Sequence, residues 1–217
     1  MIRDIDLNEV SDGKLYRGND MVKAGCDGCK GCSQCCRGMG DSILLDPLDI
    51  HRMKNGLSVS FENLMEGPVG LRVVDGLILP FLKMTGKEES CAFLNDTGRC
   101  TIHDFRPGFC RLFPLGRYYE GEDFRYFLQI HECAKKNRTK VKVKKWIDVP
   151  DFSLYEDFIR KWHAFQRNVQ EKLDISGDED LRKKVDMQIL QDFYVNSFDP
   201  NDFYGDFYHR IDGFIDF

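Results

Sequence analysis

The 217 residues carry 31 Lys and Arg against 36 Asp and Glu, and the formal net charge of -5 argues against nucleic acid as the main partner. Hydrophobic residues make up 42% and charged residues 31%, with 17 Phe and 8 Tyr, as in a globular protein with an aromatic core. No apolar run approaches the roughly 20 residues of a membrane-spanning helix, and the length suits one domain that buries a core without covalent staples.

Met1 to Asp12 interleave Arg3, Asp4, Asp6, Glu9 and Asp12 with single apolar positions, so the segment lacks the hydrophobic region of a secretory signal and a cytoplasmic protein is expected. Five cysteines then fall within eleven residues, Cys26, Cys29, Cys32, Cys35 and Cys36, and Cys91, Cys100, Cys110 and Cys133 follow. Thiolates this crowded repel one another and oxidise readily. Shared coordination of a positive metal centre accounts for them. A disulfide framework would need an oxidising compartment, would strand one of nine thiols and would strain the Cys35-Cys36 pair.

Cys26, Cys29, Cys32 and Cys36 are spaced C-x2-C-x2-C-x3-C, the ligand run of bacterial iron-sulfur ferredoxins, with Arg37 where those have proline. Gly25, Gly28 and Gly31 thin the loop so that backbone N-H groups can approach the sulfurs. Zinc competes, because eight thiolates would satisfy two tetrahedral sites and C-x2-C pairs are its usual knuckles. Spacing does not separate the metals. The distant cysteines must converge through tertiary folding, which predicts one core joining both groups. His51, His103 and His131 read as ordinary histidines rather than ligands amid so many thiols. Cys110, between Arg106 and Arg111, has the charge setting of an activated nucleophile, but a structural role for the arginines, on thiolates or on Asp104, is preferred.

Further along, Asp46-Pro47 and Gly56 predict a helix over Pro47 to Asn55, and Ser60 starts a second short helix. Val73 to Leu79 around Asp75-Gly76 predicts a hairpin, with Pro80 ending or edging its second strand. Cys91 to Cys110 is rich in turn residues and predicts short turns around a metal. Phe124 to Gln129 and Val141 to Ile147 read as strands, the latter with Lys140, Lys142 and Lys144 on a solvated face. Past Val149-Pro150 the period becomes helical. Ser153 and Glu156 form an expected capping box, followed by Leu154, Phe158, Trp162, Phe165, Val169 and Leu173 on one face. Leu181 to Phe193 marks a second helix and Asn201 precedes a third. Three Asp-Phe-Tyr triplets, at 192, 202 and 206, read as core packing of this terminal helix rather than a docking face.

The chain also resembles a known family, the YkgJ-type cysteine-cluster proteins or zinc- or iron-chelating domain. The resemblance is carried by Cys29-x2-Cys32-x2-Cys35-Cys36, Cys91-Ala92-Phe93-Leu94, Gly98-Arg99-Cys100-Thr101-Ile102-His103 and Arg106-Pro107-Gly108-Phe109-Cys110-Arg111-Leu112-Phe113-Pro114. It spans Cys29 to Cys133 and implies eight metal ligands: Cys29, Cys32, Cys35, Cys36, Cys91, Cys100, Cys110 and Cys133, with Cys26 an addition. Flagellin lysine N-methylases are similar across the same region and carry an iron-sulfur centre, which implies a methylase alternative using S-adenosylmethionine. No glycine-rich strand-turn-helix signature supports that cofactor, Gly38-Met39-Gly40-Asp41 being too short. A zinc-stabilised interaction module is the third reading.

The expectation is one α+β domain over residues 1–217, with a cysteine-cluster core at 26–133 and a helical part at 150–217. It holds an iron-sulfur cluster of the [4Fe-4S] type, or zinc. The sequence names no protein partner or substrate.

Overall fold

The computed structural model of the protein describes residues 6–26 and 32–214. A one-turn helix α1 (Leu7–Val10) opens into strands β1 (Ser11–Tyr16) and β2 (Met21–Gly25). Helices α2 (Pro47–Leu57) and α3 (Phe61–Glu66) precede the hairpin β3 (Val69–Val74) and β4 (Leu77–Leu82). Two short strands, β5 (Met84–Thr85) and β6 (Ser90–Cys91), and helix α4 (Gly108–Leu112) lead to a second hairpin, β7 (Leu115–Glu120) and β8 (Asp123–Gln129). Strand β9 (Thr139–Lys142) and helix α5 (Val143–Ile147) then give way to the helices α6 (Phe152–Ser176), α7 (Glu179–Leu190) and α8 (Phe203–Gly213). This is an α+β fold with small antiparallel sheets and a helical C-terminal half. Among the described residues no helix is long and apolar enough to cross a membrane.

The start of α2 follows from its first residues. Asp46 caps the Asp49 N-H, Asp49 returns the bond to the Asp46 N-H, and Pro47 sits where no donor is needed. The helix runs past its expected stop. Gly56 stays helical and serves instead to admit the Phe105 ring, which a Cβ there would meet at 2.7 Å, and the turn out falls at Ser58, whose φ is 56°. Ser60 caps α3 as the sequence predicts.

In the first hairpin Val74 faces Leu77 across Asp75 and Gly76, both at positive φ, the turn whose twist matches that of the strands. Pro80 does not end β4. Its carbonyl accepts from Leu45, so its missing N-H also points to that side and the ladder to β3 loses nothing.

Two further expectations need correction. The strand predicted over Val141 to Ile147 stops at Lys142, because Val143 and Ile147 are both buried at helical spacing and Trp146 donates its indole N-H to the Phe113 carbonyl at 3.1 Å. The Ser153 capping box does not form either: α6 begins two residues earlier, after Asp151, and Leu154 is exposed while Phe158, Trp162, Val169 and Leu173 are buried.

The helical half grips the hairpin through α7. Buried Asp186 accepts the Ile78 N-H at 3.1 Å, and Arg182 donates to the Gly76 carbonyl at the hairpin tip at 3.0 Å. Phe193, Phe203 and Phe207, from the three Asp-Phe-Tyr triplets, are buried against Phe158 and Trp162 on α6. Aromatic packing accounts for these triplets.

Candidate metal centre

Several backbone devices bring the cysteines together. Cys35 and Cys36 ride on a 3₁₀ turn over Gln34–Cys36. That turn is bound to the β5–β6 ladder by a bridge between Arg37 and Ser90, by the Gly38 N-H on the Glu89 carbonyl at 2.9 Å, and by Arg37 on Ser90 Oγ at 2.7 Å. The next residue in β6 is Cys91, so the anchor that fixes the first group also sets the second.

Cys100 is placed by a tight turn. The Asn95 side chain accepts from the N-H groups of Thr97 and Arg99, Gly98 takes a φ of 72°, and a bridge pairs Leu94 with Cys100. Cys110 rides on α4. That short helix is held from below by Asp49, whose Oδ1 accepts the Gly108 N-H at 2.6 Å in a setting where Asp49 is 2% exposed.

Cys32, Cys35, Cys36, Cys91, Cys100 and Cys110 all line one cavity of about 980 Å³. Of the other sequence-predicted ligands, Cys29 lies outside the described residues, and half-buried Cys133, after β8, is not in the lining. Nor is Cys26, at the end of β2. The lining therefore includes Cys35, which the ferredoxin-like run 26/29/32/36 skips. Among the described residues no three His, Cys, Asp or Glu side chains close on a single ion-sized point.

Four of the lining thiols, Cys35, Cys91, Cys100 and Cys110, are biased toward the protonated form until a cation replaces the protons. A hydrogen bond with Cys36 and burial raise the Cys35 pKa. Burial raises Cys91 and Cys100, and it drives Cys110 well above the ordinary thiol, with Cys91, Asp49, Cys35 and Cys100 adding to the effect. The flanking arginines do not activate Cys110. Arg111, itself 6% exposed, spends its guanidinium on the carbonyls of Asp104, Arg106 and Asp148, and Arg106 donates to the His103 carbonyl at 2.8 Å. A metal bound here must displace protons from buried thiols, and its charge then offsets their mutual repulsion. The Phe93 N-H, 3.5 Å from Cys91 Sγ, is aimed as a donor to a ligating sulfur. Six thiols bordering one cavity supply the soft donors that a thiophilic metal takes. Cys32, Cys35, Cys36, Cys91, Cys100, Cys110 and Cys133 form no disulfide bonds.

Other residues of the lining carry no cysteine signal. Arg52 on α2, Phe105, Phe109 and the α5 segment with Lys145 and Trp146 complete the cavity. Phe109 belongs to the motif around Cys110, and the trace of Arg52 is the reciprocal cap, which fixes the phase of α2 one turn before it. Of the histidines, His103 reaches the cavity, whereas His51 packs against Phe198 and Phe203.

A family model described as "Putative zinc- or iron-chelating domain", with the signature CxxCxxCC, matches residues 28–145. No curated protein and no solved structure matches the chain.

Proposed function

The chain belongs to this zinc- or iron-chelating domain family, and on that premise we propose that the metal it binds is iron, held as an iron-sulfur cluster of the [4Fe-4S] type in a cytoplasmic protein. The carrying observation is the single cavity bordered by six cysteines from both sequence groups. Four thiolates around one zinc ion stand about 3.8 Å apart, as tetrahedral bonds of about 2.3 Å require. Six cysteines border this cavity, more than one such ion takes, and the C-x2-C-x2-C run at Cys29, Cys32 and Cys35 matches cluster ligation. The ligands come from Cys32, Cys35, Cys36, Cys91, Cys100 and Cys110, with Cys29 of the same run.

Protein produced anaerobically with ample iron is expected to be brown and to contain both iron and acid-labile sulfide. Stoichiometric zinc without sulfide from the same preparation would refute the proposal in favour of a zinc module.

A further inference from the structure

The cavity holds more space and more charge than ligation requires. A structural metal site is closed around its ion by the ligands themselves. This cavity, at about 980 Å³, instead matches the upper end of small-molecule sites, about 300–1,000 Å³. Its lining also includes Phe105, Phe109, Phe113 and Trp146, apolar residues that no thiolate-bound metal needs.

The cations of the lining differ in what they already hold. Arg111 is committed to three backbone carbonyls and Arg106 to His103. Arg52 is different. Its Nη1 is buried with no hydrogen-bond partner among the described residues, a costly state for a guanidinium that cannot shed its proton. The nearby carboxyls do not supply the missing acceptor. Asp46 Oδ1 accepts the Asp49 N-H, while Asp49 gives Oδ2 to the Asp46 N-H and Oδ1 to the Gly108 N-H.

We propose that the cavity binds a small organic anion, a carboxylate or a phosphate ester, whose charged group pairs with Arg52 while its apolar body lies along Phe105, Phe109, Phe113 and Trp146. The proposal rests on the cysteine wall being occupied by its metal, which leaves the rest of the cavity for the ligand. An anion in the cavity meets Arg52, a lining cation whose Nη1 has no hydrogen-bond partner among the described residues, and the guanidinium fork suits both carboxylate and phosphate.

The test uses the full metal-loaded chain, with metal content measured first and calorimetric titration of benzoate, phenyl phosphate and neutral benzyl alcohol afterwards. At least one anion should bind saturably and about tenfold or more tightly than the alcohol, and the tighter of the two identifies the chemical source. Arg52→Gln should weaken that anion about tenfold or more while metal content stays at the wild-type level. Arg52→Lys, which retains the charge without the fork, should weaken it about threefold or more and serves if the glutamine variant does not fold. Absence of binding by either anion up to about 10 mM overturns the proposal, as does unchanged affinity in the Arg52 variants or an alcohol that binds as well as the anions. A preparation without metal fails at the first measurement, which overturns the metal reading before any ligand is added.

Discussion

Asp49→Ala removes both oxygens from beneath the Cys110 turn. Oδ1 accepts the Gly108 N-H at 2.6 Å and Oδ2 the Asp46 N-H at 3.2 Å, and at 2% exposure little water can take their place. Each buried N-H left without an acceptor costs about 1–3 kcal/mol, giving about 2–6 for the pair. Burial and neighbouring Asp46 push the Asp49 carboxyl pKa well up, so part of that cost is offset by losing a poorly solvated acid, and a net loss of about 2–4 kcal/mol is expected. Asn imitates the neutral acid and keeps one oxygen for Gly108. Asp49→Asn should therefore cost about half as much. Urea unfolding of metal-loaded protein, with m-values compared across the variants, measures both quantities. Metal content of the folded fraction should fall in Asp49→Ala and remain near wild type in Asp49→Asn, because α4 carries Cys110. An alanine variant within about 0.5 kcal/mol of wild type, or an asparagine variant equally damaged, would refute the claim that this bond holds the metal-side turn.

Replacing Cys100 or Cys110 with Ser should lower metal content as much as replacing Cys32 or Cys36, since all four line one cavity, and Cys133→Ser should retain it; metal analysis of each purified variant decides the matter. Half-buried His163 stacks on Tyr119 at 3.8 Å, and burial lowers its pKa to about 4 against 6.5 for the ordinary imidazole. The unfolded chain takes up the proton first on acidification, so His163 gives its full support above about pH 6.5 and loses it as the pH falls toward 4, by about 1–2 kcal/mol after allowing for solvent screening. His163→Phe should lose less stability than wild type between those pH values in parallel denaturation curves. Phe158, 0% exposed and 4.7 Å from the Phe207 ring, should cost about 3–5 kcal/mol when changed to Ala, and a loss under about 1.5 kcal/mol would contradict its central place in the helical core.

What the sequence discloses depends on how far apart in the chain the interacting residues lie. The cap at Asp46, the turn at Asp75-Gly76 and the helical stripe through Phe158, Trp162 and Leu173 are legible because each is decided by residues within a few positions. The Val143–Ile147 turn is not: its alternating Lys and Val suit a strand, and the helix is chosen by burial of both ends and by carbonyls some thirty positions away at Leu112 and Phe113. Strand β1 is hidden for the same reason, because Ser11 pairs with Gln129 in β8 and nothing in Ser11–Tyr16 announces a partner that distant.

The metal site divides along this line too. Thiols advertise themselves by composition, so the convergence of Cys32, Cys35 and Cys36 with Cys91, Cys100 and Cys110 could be expected before any fold was known, and the cavity joins them. Arg52 and Asp49 have no such signature. An aspartate in the first turn of a helix and an arginine three residues later read as ordinary cap and surface charge. Only when α2 is packed against the Cys110 turn does one become a buried anchor for Gly108 and the other a cation facing the cavity, with an Nη1 that nothing among the described residues satisfies. The cysteines announce a metal from the sequence alone; the character of the rest of the cavity is set by side chains whose meaning comes from tertiary placement.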